Sequence, residues 1–167
     1  VPYDAVTDFE PITRLGTITL ALVGHPSVPA NNVQELIAYA KANPGKLSYA
    51  STGTGTSPHL LMEEVASKSG VQLLHVPFKG GAQAMPAVVA GEVGLSFATI
   101  VSSLPLVQAN KLRGLAVTSA KRFPSAKEFP TVAESGLPGY EAVAWYGVFA
   151  PDGTPRDYAG AFDDTPV

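Results

Sequence analysis

A run of small residues is the part of the sequence best suited to binding chemistry. It connects a β-prone segment to a helical pattern and consists of Ser51, Thr52, Gly53, Thr54, Gly55, Thr56 and Ser57. Small side chains let backbone N–H groups approach a ligand, and the first N–H groups of a helix lack intrahelical partners and carry partial positive charge. The loop is therefore predicted to hold an anion such as a carboxylate through the amides of residues 54–57, helped by the hydroxyls of Ser51, Thr52 and Thr56. An ordinary strand-to-helix turn uses the same residue types, so the loop alone supports both interpretations.

Two later turns carry further residues that suit a ligand site. Phe78, Lys79 and Gly80 follow a predicted strand and offer an aromatic wall, a cation and a permissive backbone, and Ala98 and Thr99 end another strand. Ligands of open α/β sheets sit beyond the carboxyl ends of the strands. These residues are therefore predicted to face the same cleft as the 51–57 loop, although Lys79 is equally consistent with a solvated surface charge.

Catalytic and cofactor motifs are incomplete. Gly53 and Gly55 begin a dinucleotide-binding G-x-G-x-x-G pattern, but Pro58 occupies the third glycine position, and no Gly-Lys-Ser/Thr follows to complete a Walker A loop. Ser57 and Ser96 do not fit a nucleophile elbow because the glycine required two residues later is missing. The sequence therefore predicts neither a cofactor nor an enzyme. A hydrolase is the third hypothesis, after the two binding functions described below.

Metal-ligating residues are sparse. His25, His59 and His75 stand apart, each without a second histidine or a carboxylate at ligand spacing, and the chain has no cysteine. Structural histidines are expected at such positions, and no metal site is predicted. His59 falls in the first turn of a predicted helix, where it is placed to support the 51–57 loop.

Composition sets the broad class. A length of 167 residues with 46% hydrophobic content fits one domain with a core, and 15% charged residues is low enough to suggest that some surface is normally covered. The net charge of −3 excludes the basic footprint of nucleic-acid binding. No apolar run reaches the roughly 18 residues of a membrane-spanning helix, and the first residues do not form a signal peptide.

Alternating strand and helix patterns predict the fold class. Periodicity, caps and stops place strands at 17–24, 47–51, 72–76, 94–99, 112–118 and 142–149, and helices from 33 to a stop at 43–45, at 57–69, at 82–90 and from a Ser102 cap to 109. This alternation favours an α/β architecture with a mainly parallel sheet and helices on both faces. Trp145 and Tyr146 on the last strand are predicted to pack in a core or an interface.

The order of several longer segments resembles one receptor family across residues 3–155. The matching segments are Asp8-Phe-Glu-Pro-Ile-Thr13, His25-Pro-Ser-Val-Pro29, Asn43-Pro-Gly-Lys-Leu47, the Ser51–Leu60 loop, His75-Val-Pro-Phe-Lys-Gly80, Leu112-Arg-Gly-Leu-Ala-Val-Thr-Ser119, Pro130-Thr-Val-Ala-Glu-Ser-Gly-Leu-Pro-Gly-Tyr140 and Trp145-Tyr-Gly-Val-Phe-Ala-Pro151. They resemble the periplasmic solute receptors of tripartite tricarboxylate transporters, called Bug receptors.

The resemblance implies one lobe of a type II periplasmic-binding-protein architecture, in which two α/β lobes joined by hinge strands close on a carboxylate-bearing solute. It implies a hinge segment at residues 1–16, the second ligand-binding lobe at 17–150, and an exit hinge with an irregular tail at 151–167. The implied partners are a small carboxylate, a first lobe that this chain lacks and a membrane permease, and the implied location is the periplasm. Without the first lobe, apolar hinge surface is expected to favour self-association.

Two cleft positions depart from the family pattern. Ala98 and Thr99 stand where the family often has Asp-Asn, and Phe78 stands where it often has Tyr, so the resemblance does not specify the solute. The alternative function is an effector-sensing lobe of a transcription regulator, because the same bilobal architecture serves there.

Overall fold

The computed structural model describes residues 2–155, and these residues divide into two compact units. One unit is formed by the residues up to Ile18 together with those from Ala144 onward. The other unit is continuous and runs from Thr19 to Val143. All of the residues predicted to bind a ligand belong to this continuous unit.

The described residues contain seven strands and four helices. In chain order they are β1 (Phe9–Ile18), β2 (Leu20–Gly24), α1 (Val33–Ala42), β3 (Ser48–Ser51), α2 (Ser57–Ser69), β4 (Leu74–Pro77), α3 (Gly81–Val89), β5 (Leu95–Thr99), α4 (Ile100–Gln108), β6 (Arg113–Val117) and β7 (Ala144–Pro151). No helix among them has the length and apolar character needed to cross a bilayer.

The continuous unit is built on a five-stranded sheet in the order β4-β3-β5-β2-β6. β3 pairs in parallel with both β4 and β5, whereas β2 runs antiparallel to its neighbours β5 and β6. Four of the five strands therefore point the same way, and each of β3, β4 and β5 is followed by a helix. This arrangement confirms the predicted α/β class with a mainly parallel sheet.

Local sequence signals explain where α1 and α2 begin and end. The Asn32 side chain accepts a 2.8 Å hydrogen bond from the Glu35 amide at the start of α1, as the capping pattern predicts. Gly70 ends α2 in the left-handed conformation at φ 66°, and Lys68 pairs with Glu64 at 3.3 Å on the exposed face. Met62, Val65 and Ala66 bury the opposite face of α2.

Two helices differ from the sequence prediction. Helix α4 begins at Ile100 with Thr99 as its N-cap, because the Thr99 hydroxyl accepts the Ser102 amide, so the predicted Ser102 cap is wrong. Pro105 consequently lies inside α4 rather than in its first turn, and Pro86 lies inside α3. Both prolines are exposed, which lets water reach the carbonyl groups that their missing amides leave unpaired.

The other unit contains a two-stranded antiparallel ribbon of β1 and β7. The predicted strand at 17–24 is in fact two strands, and the sequence prediction missed residues 9–16 of β1. Trp145 and Tyr146 are each 56% exposed on β7, so they are not core residues of the described structure. Trp145 instead packs against Phe149 on the same strand, with ring centroids 5.9 Å apart.

The predicted boundaries at residues 16 and 150 stay predictions. The irregular tail predicted at 156–167 lies outside the described residues.

Candidate functional site

The candidate site lies at one edge of the five-stranded sheet. Because β3 is parallel to both of its neighbours, the carboxyl ends of β3, β4 and β5 lie at the same edge. The helices that follow these strands begin at Ser57, Gly81 and Ile100. Three helix N-termini, each with partial positive charge, therefore start from the edge where the sequence places the ligand.

The 51–57 loop needs glycine at two positions. Gly53 and Gly55 have positive φ values of 136° and 82°, which side-chain-bearing residues rarely adopt. Thr56 then turns the chain into α2 with an extended backbone, φ −76° and ψ 161°, and its side chain makes no capping hydrogen bond. The loop geometry therefore depends on the glycines and on hydrogen bonds other than a side-chain cap.

Two of the four predicted ligand-binding amides are engaged within the protein. The Gly55 amide donates to Nδ1 of His59 at 3.1 Å, and the Thr56 amide donates to the Gly53 carbonyl at 3.3 Å. The amides of Thr54 and Ser57 donate to no other residue between 2 and 155. These two amides are the ones that the structure leaves available for a ligand.

Two of the three predicted hydroxyls are likewise engaged. Ser51 is fully buried, and its Oγ lies 2.6 Å from Nε2 of His75 and accepts the Gly53 amide at 3.2 Å. The Thr56 hydroxyl donates to the Gly53 carbonyl at 2.7 Å. In the described structure the Thr52 hydroxyl makes no hydrogen bond, so Ser51 and Thr56 shape the loop while Thr52 remains available.

The second turn lies directly beside the first. The Phe78 amide donates to the Ser51 carbonyl at 3.0 Å, and Phe78 itself packs partly buried against the core. Lys79 is exposed, and its ammonium forms no ion pair with the described residues. Gly80 caps α3 at φ 107°. The turn that carries the predicted aromatic wall and cation is therefore adjacent to the 51–57 loop.

The third turn reaches the same edge through β5. Ala98 is buried at 8% exposure, and Thr99 is occupied as the cap of α4, where its hydroxyl lies 2.8 Å from that of Ser102. No hydrogen bond joins Ala98 or Thr99 to the 51–57 loop in the described residues. Their predicted contact with a ligand stays a prediction.

Sequence spacing missed an aromatic stack beneath the loop. The rings of His59 and His75, separated by sixteen positions in the chain, stack with centroids 4.1 Å apart and planes 16° apart. Tyr49 stacks on His75 at 4.9 Å, and its hydroxyl donates to Glu63 at 2.5 Å. These two histidines, which stand apart in the sequence, are therefore neighbours in the fold, because the parallel pairing of Tyr49 with His75 and the start of α2 bring the rings together.

The stack changes the acidity of its members. Burial, and secondarily the neighbouring His59, lowers the pKa of His75, while the Glu63 carboxylate opposes this shift. Burial, followed by the hydrogen bond to Glu63, raises the pKa of Tyr49. Both effects favour neutral rings under the loop. Among the described residues, no group of three or more histidine, aspartate or glutamate side chains is placed to hold a metal ion.

Similarity to known proteins identifies the family of this chain. The family model described as tripartite tricarboxylate transporter family receptor matches residues 1–165. The chain belongs to this receptor family. A relative from Pseudomonas sp. (strain P51), named as a UPF0065 protein in the tcbD-tcbE intergenic region, is 43% identical over 157 residues, which cover 93% of this chain and 47% of that protein.

Solved receptor structures share the fold. Rpa4515 of R. palustris with adipate has a TM-score of 0.89 at 37% identity, over 96% of this chain and 54% of that one. MatC from Rhodopseudomonas palustris with bound malate has a TM-score of 0.89 at 28% identity, over 97% of this chain and 55% of that one. The chain thus spans about half the length of the receptors that it matches.

Proposed function

We propose that this chain is the solute-binding lobe of a periplasmic receptor that takes a small mono- or dicarboxylate and delivers it to the membrane permease of a tripartite tricarboxylate transporter. The observation that carries the proposal is the pair of backbone amides at Thr54 and Ser57, which have no partner in the described structure. They lie where α2 begins, beside the turn that carries Lys79. Unpaired amides at a helix N-terminus attract a carboxylate.

The expected energies favour a weak site in this lobe alone. The end of α2 contributes about 0.3 to 2 kcal/mol to anion binding, and each hydrogen bond to a charged group contributes roughly 1.5 to 3 kcal/mol. Binding also costs translational and rotational freedom. If a complete two-lobe receptor binds with about −8 kcal/mol, an even division gives this lobe a dissociation constant of about 1 mM.

The compared structures support a carboxylate as the ligand class. Adipate and malate, which accompany the two solved receptors, are both dicarboxylates. In this chain the groups proposed to meet the solute are the amides of Thr54 and Ser57, the Thr52 hydroxyl, and the Phe78 ring and Lys79 ammonium of the next turn. The remaining predicted residues, Ser51, Gly53, Gly55, Thr56, Gly80, Ala98 and Thr99, are proposed to shape the site.

A binding role also fits the chemistry of Ser51 better than catalysis does. Ser51 and His75 are at hydrogen-bond distance, as in a nucleophile and base pair. However, Ser51 is fully buried and its oxygen already accepts the Gly53 amide. A substrate therefore has no path to this hydroxyl in the described conformation.

Replacing Ser57 tests the proposal directly. Proline is tolerated in the first turn of a helix and removes the Ser57 amide proton, and the extended Thr56 backbone already suits a following proline. We expect Ser57→Pro to weaken binding of adipate and malate about tenfold, the equivalent of one hydrogen bond. Ser57→Ala, which loses only the hydroxyl, is the matched control and is expected to stay within about threefold of the unmodified chain.

The measurement is a titration of the chain with adipate or malate at millimolar concentrations, followed by amide NMR shifts. A Ser57→Pro variant that is folded and binds as tightly as Ser57→Ala would contradict the proposed site.

A further inference from the structure

Three elements supply the aromatic stack that lies under the 51–57 loop. His59 comes from the first turn of α2, His75 from β4 and Tyr49 from β3. His75 is the middle ring, with centroids 4.1 Å from His59 and 4.9 Å from Tyr49. The stack therefore links the helix that begins the candidate site to the strand that precedes it.

His59 fixes the second half of the loop. Its Nδ1 accepts the Gly55 amide at 3.1 Å, so the neutral ring carries its proton on Nε2. This hydrogen bond holds the peptide group between Thr54 and Gly55, at a residue whose positive φ leaves the backbone otherwise permissive. The neighbouring Thr54 amide remains unpaired in the described structure.

His75 fixes the first half of the loop through Ser51. Its Nε2 lies 2.6 Å from the Ser51 Oγ, which also accepts the Gly53 amide and lies 3.2 Å from the Gly53 carbonyl oxygen. All three contacts are satisfied together when Nε2 donates to Ser51 and Ser51 donates to the carbonyl. The two histidines thus hold the loop at the two glycines that give it its shape.

We propose that His59 and His75 are positioning residues, which hold the 51–57 loop in the conformation that leaves the Thr54 and Ser57 amides free for a carboxylate. The inference rests on the proposed function, and it adds that His59 must be neutral for the loop to hold. A protonated His59 carries hydrogen on Nδ1, which then faces the Gly55 amide as a second donor.

Few titratable groups lie close enough to His59 and His75 to change the charge of the two rings. The titratable side chains that face the pair are Tyr49 from β3 and Glu63 from α2, and the 51–57 loop itself carries none. Glu63 accepts the Tyr49 hydroxyl. The Glu63 carboxylate favours a charged His75, but burial and the adjacent His59 ring oppose that charge and lower the pKa of His75.

Paired substitutions separate positioning from simple packing. His59→Leu fills similar space but removes the acceptor, whereas His59→Asn places an oxygen near the position of Nδ1. We expect the Gly55 amide of the ligand-free chain to exchange with solvent about tenfold faster in His59→Leu, the factor expected for one lost hydrogen bond. His59→Asn is expected to recover most of that protection, and adipate affinity is expected to follow the same order.

His75 offers an equivalent pair of variants. His75→Gln keeps a polar atom near Nε2, and His75→Leu does not. Faster exchange of the Gly53 amide is expected in His75→Leu, with recovery in His75→Gln. Unchanged Gly53 and Gly55 exchange in the leucine variants, or asparagine and glutamine variants that behave like leucine, would overturn the proposal.

The unmodified chain gives a test that needs no variant to fold. In the unmodified chain at about pH 8, the nitrogen NMR shifts of the His59 ring are expected to show an unprotonated Nδ1 and a proton on Nε2. A ring that carries its proton on Nδ1 would also overturn the proposal. Because these readings are taken without ligand, failure of adipate to bind the unmodified chain would count against the proposed function and not against the support of the loop.

Discussion

The ring of Phe129 lies directly over the α-carbon of Gly114, so closely that a methyl group on Gly114 would overlap the ring atoms. Gly114 is part of β6, and Phe129 is buried at 3% exposure in the core. The absence of a side chain at Gly114 is therefore a packing requirement of this core.

Gly114→Ala is expected to destabilise the chain by about 1 to 3 kcal/mol, because the added methyl group overpacks a filled core. Chemical denaturation followed by circular dichroism measures the change. Gly16→Ala is the matched control, since a methyl group on Gly16 meets no atom within 4 Å. Equal stability of the two variants would contradict this account of the core.

The Lys79 ammonium is expected to attract the carboxylate through space. Lys79→Gln should weaken adipate binding about threefold at low ionic strength, and the difference should shrink in about 0.15 M salt, where screening acts over about 8 Å. Lys111→Gln is the control. Lys111 precedes the amino-terminal end of β6, and this end of the sheet is opposite to the carboxyl ends of β3, β4 and β5. NMR titrations at two salt concentrations measure both effects, and equal losses in the two variants would contradict a local role for Lys79.

The N-cap of α1 is expected to contribute measurably to stability. Asn32→Ala removes the acceptor of the Glu35 amide and should cost about 1 kcal/mol. Ser67→Ala, on the exposed face of α2, is the control and should change stability by less than about 0.5 kcal/mol. Urea denaturation midpoints of the two variants check this difference, and an unaffected midpoint in Asn32→Ala would show that the cap is dispensable.

Stability is expected to fall as the pH drops below the ordinary histidine pKa of about 6.5. Burial lowers the pKa of His75 in the folded chain, so the unfolded chain binds the proton more readily and gains population as the pH decreases. Above about pH 7 the ring is neutral in both states and contributes no slope.

His75→Gln should flatten the stability profile in this window while leaving a separate decrease at lower pH. That second decrease comes from carboxylates such as Glu35 and Glu134, whose backbone hydrogen bonds lower their pKa values in the folded chain. Urea midpoints from pH 8 to pH 4 measure the profile. If stability still falls below about pH 6.5 in His75→Gln, another group causes that decrease.

Local signals in the sequence predicted much of the fold. The Asn32 cap and the Gly70 terminus lie within one turn of the helices they limit, so residue order alone identifies α1 and α2. The small residues of the 51–57 loop similarly predicted a turn from strand to helix at the carboxyl edge of β3.

Features that depend on distant residues were not predictable in this way. The strand β1 lacks a regular apolar alternation and is defined by its pairing with β7, more than 120 residues later, as in Ile18 with Ala144. The stacking of His59 on His75 depends on the register of β4 against β3. The engagement of the Gly55 amide follows from that stack, so the set of loop amides that stay available also required the structure.

The antiparallel strand β2 has a consequence for how the chain acquires its structure. Leu20 pairs with Thr99 and Ala21 pairs with Val117, so the fully buried second strand of the chain finds its partners about 70 to 100 residues later. Contacts this far apart in sequence slow folding because a long loop must close first. During synthesis, an apolar segment with both hydrogen-bonding edges bare must therefore wait until nearly the whole sheet has emerged, and in that interval it is exposed to chaperones and to aggregation.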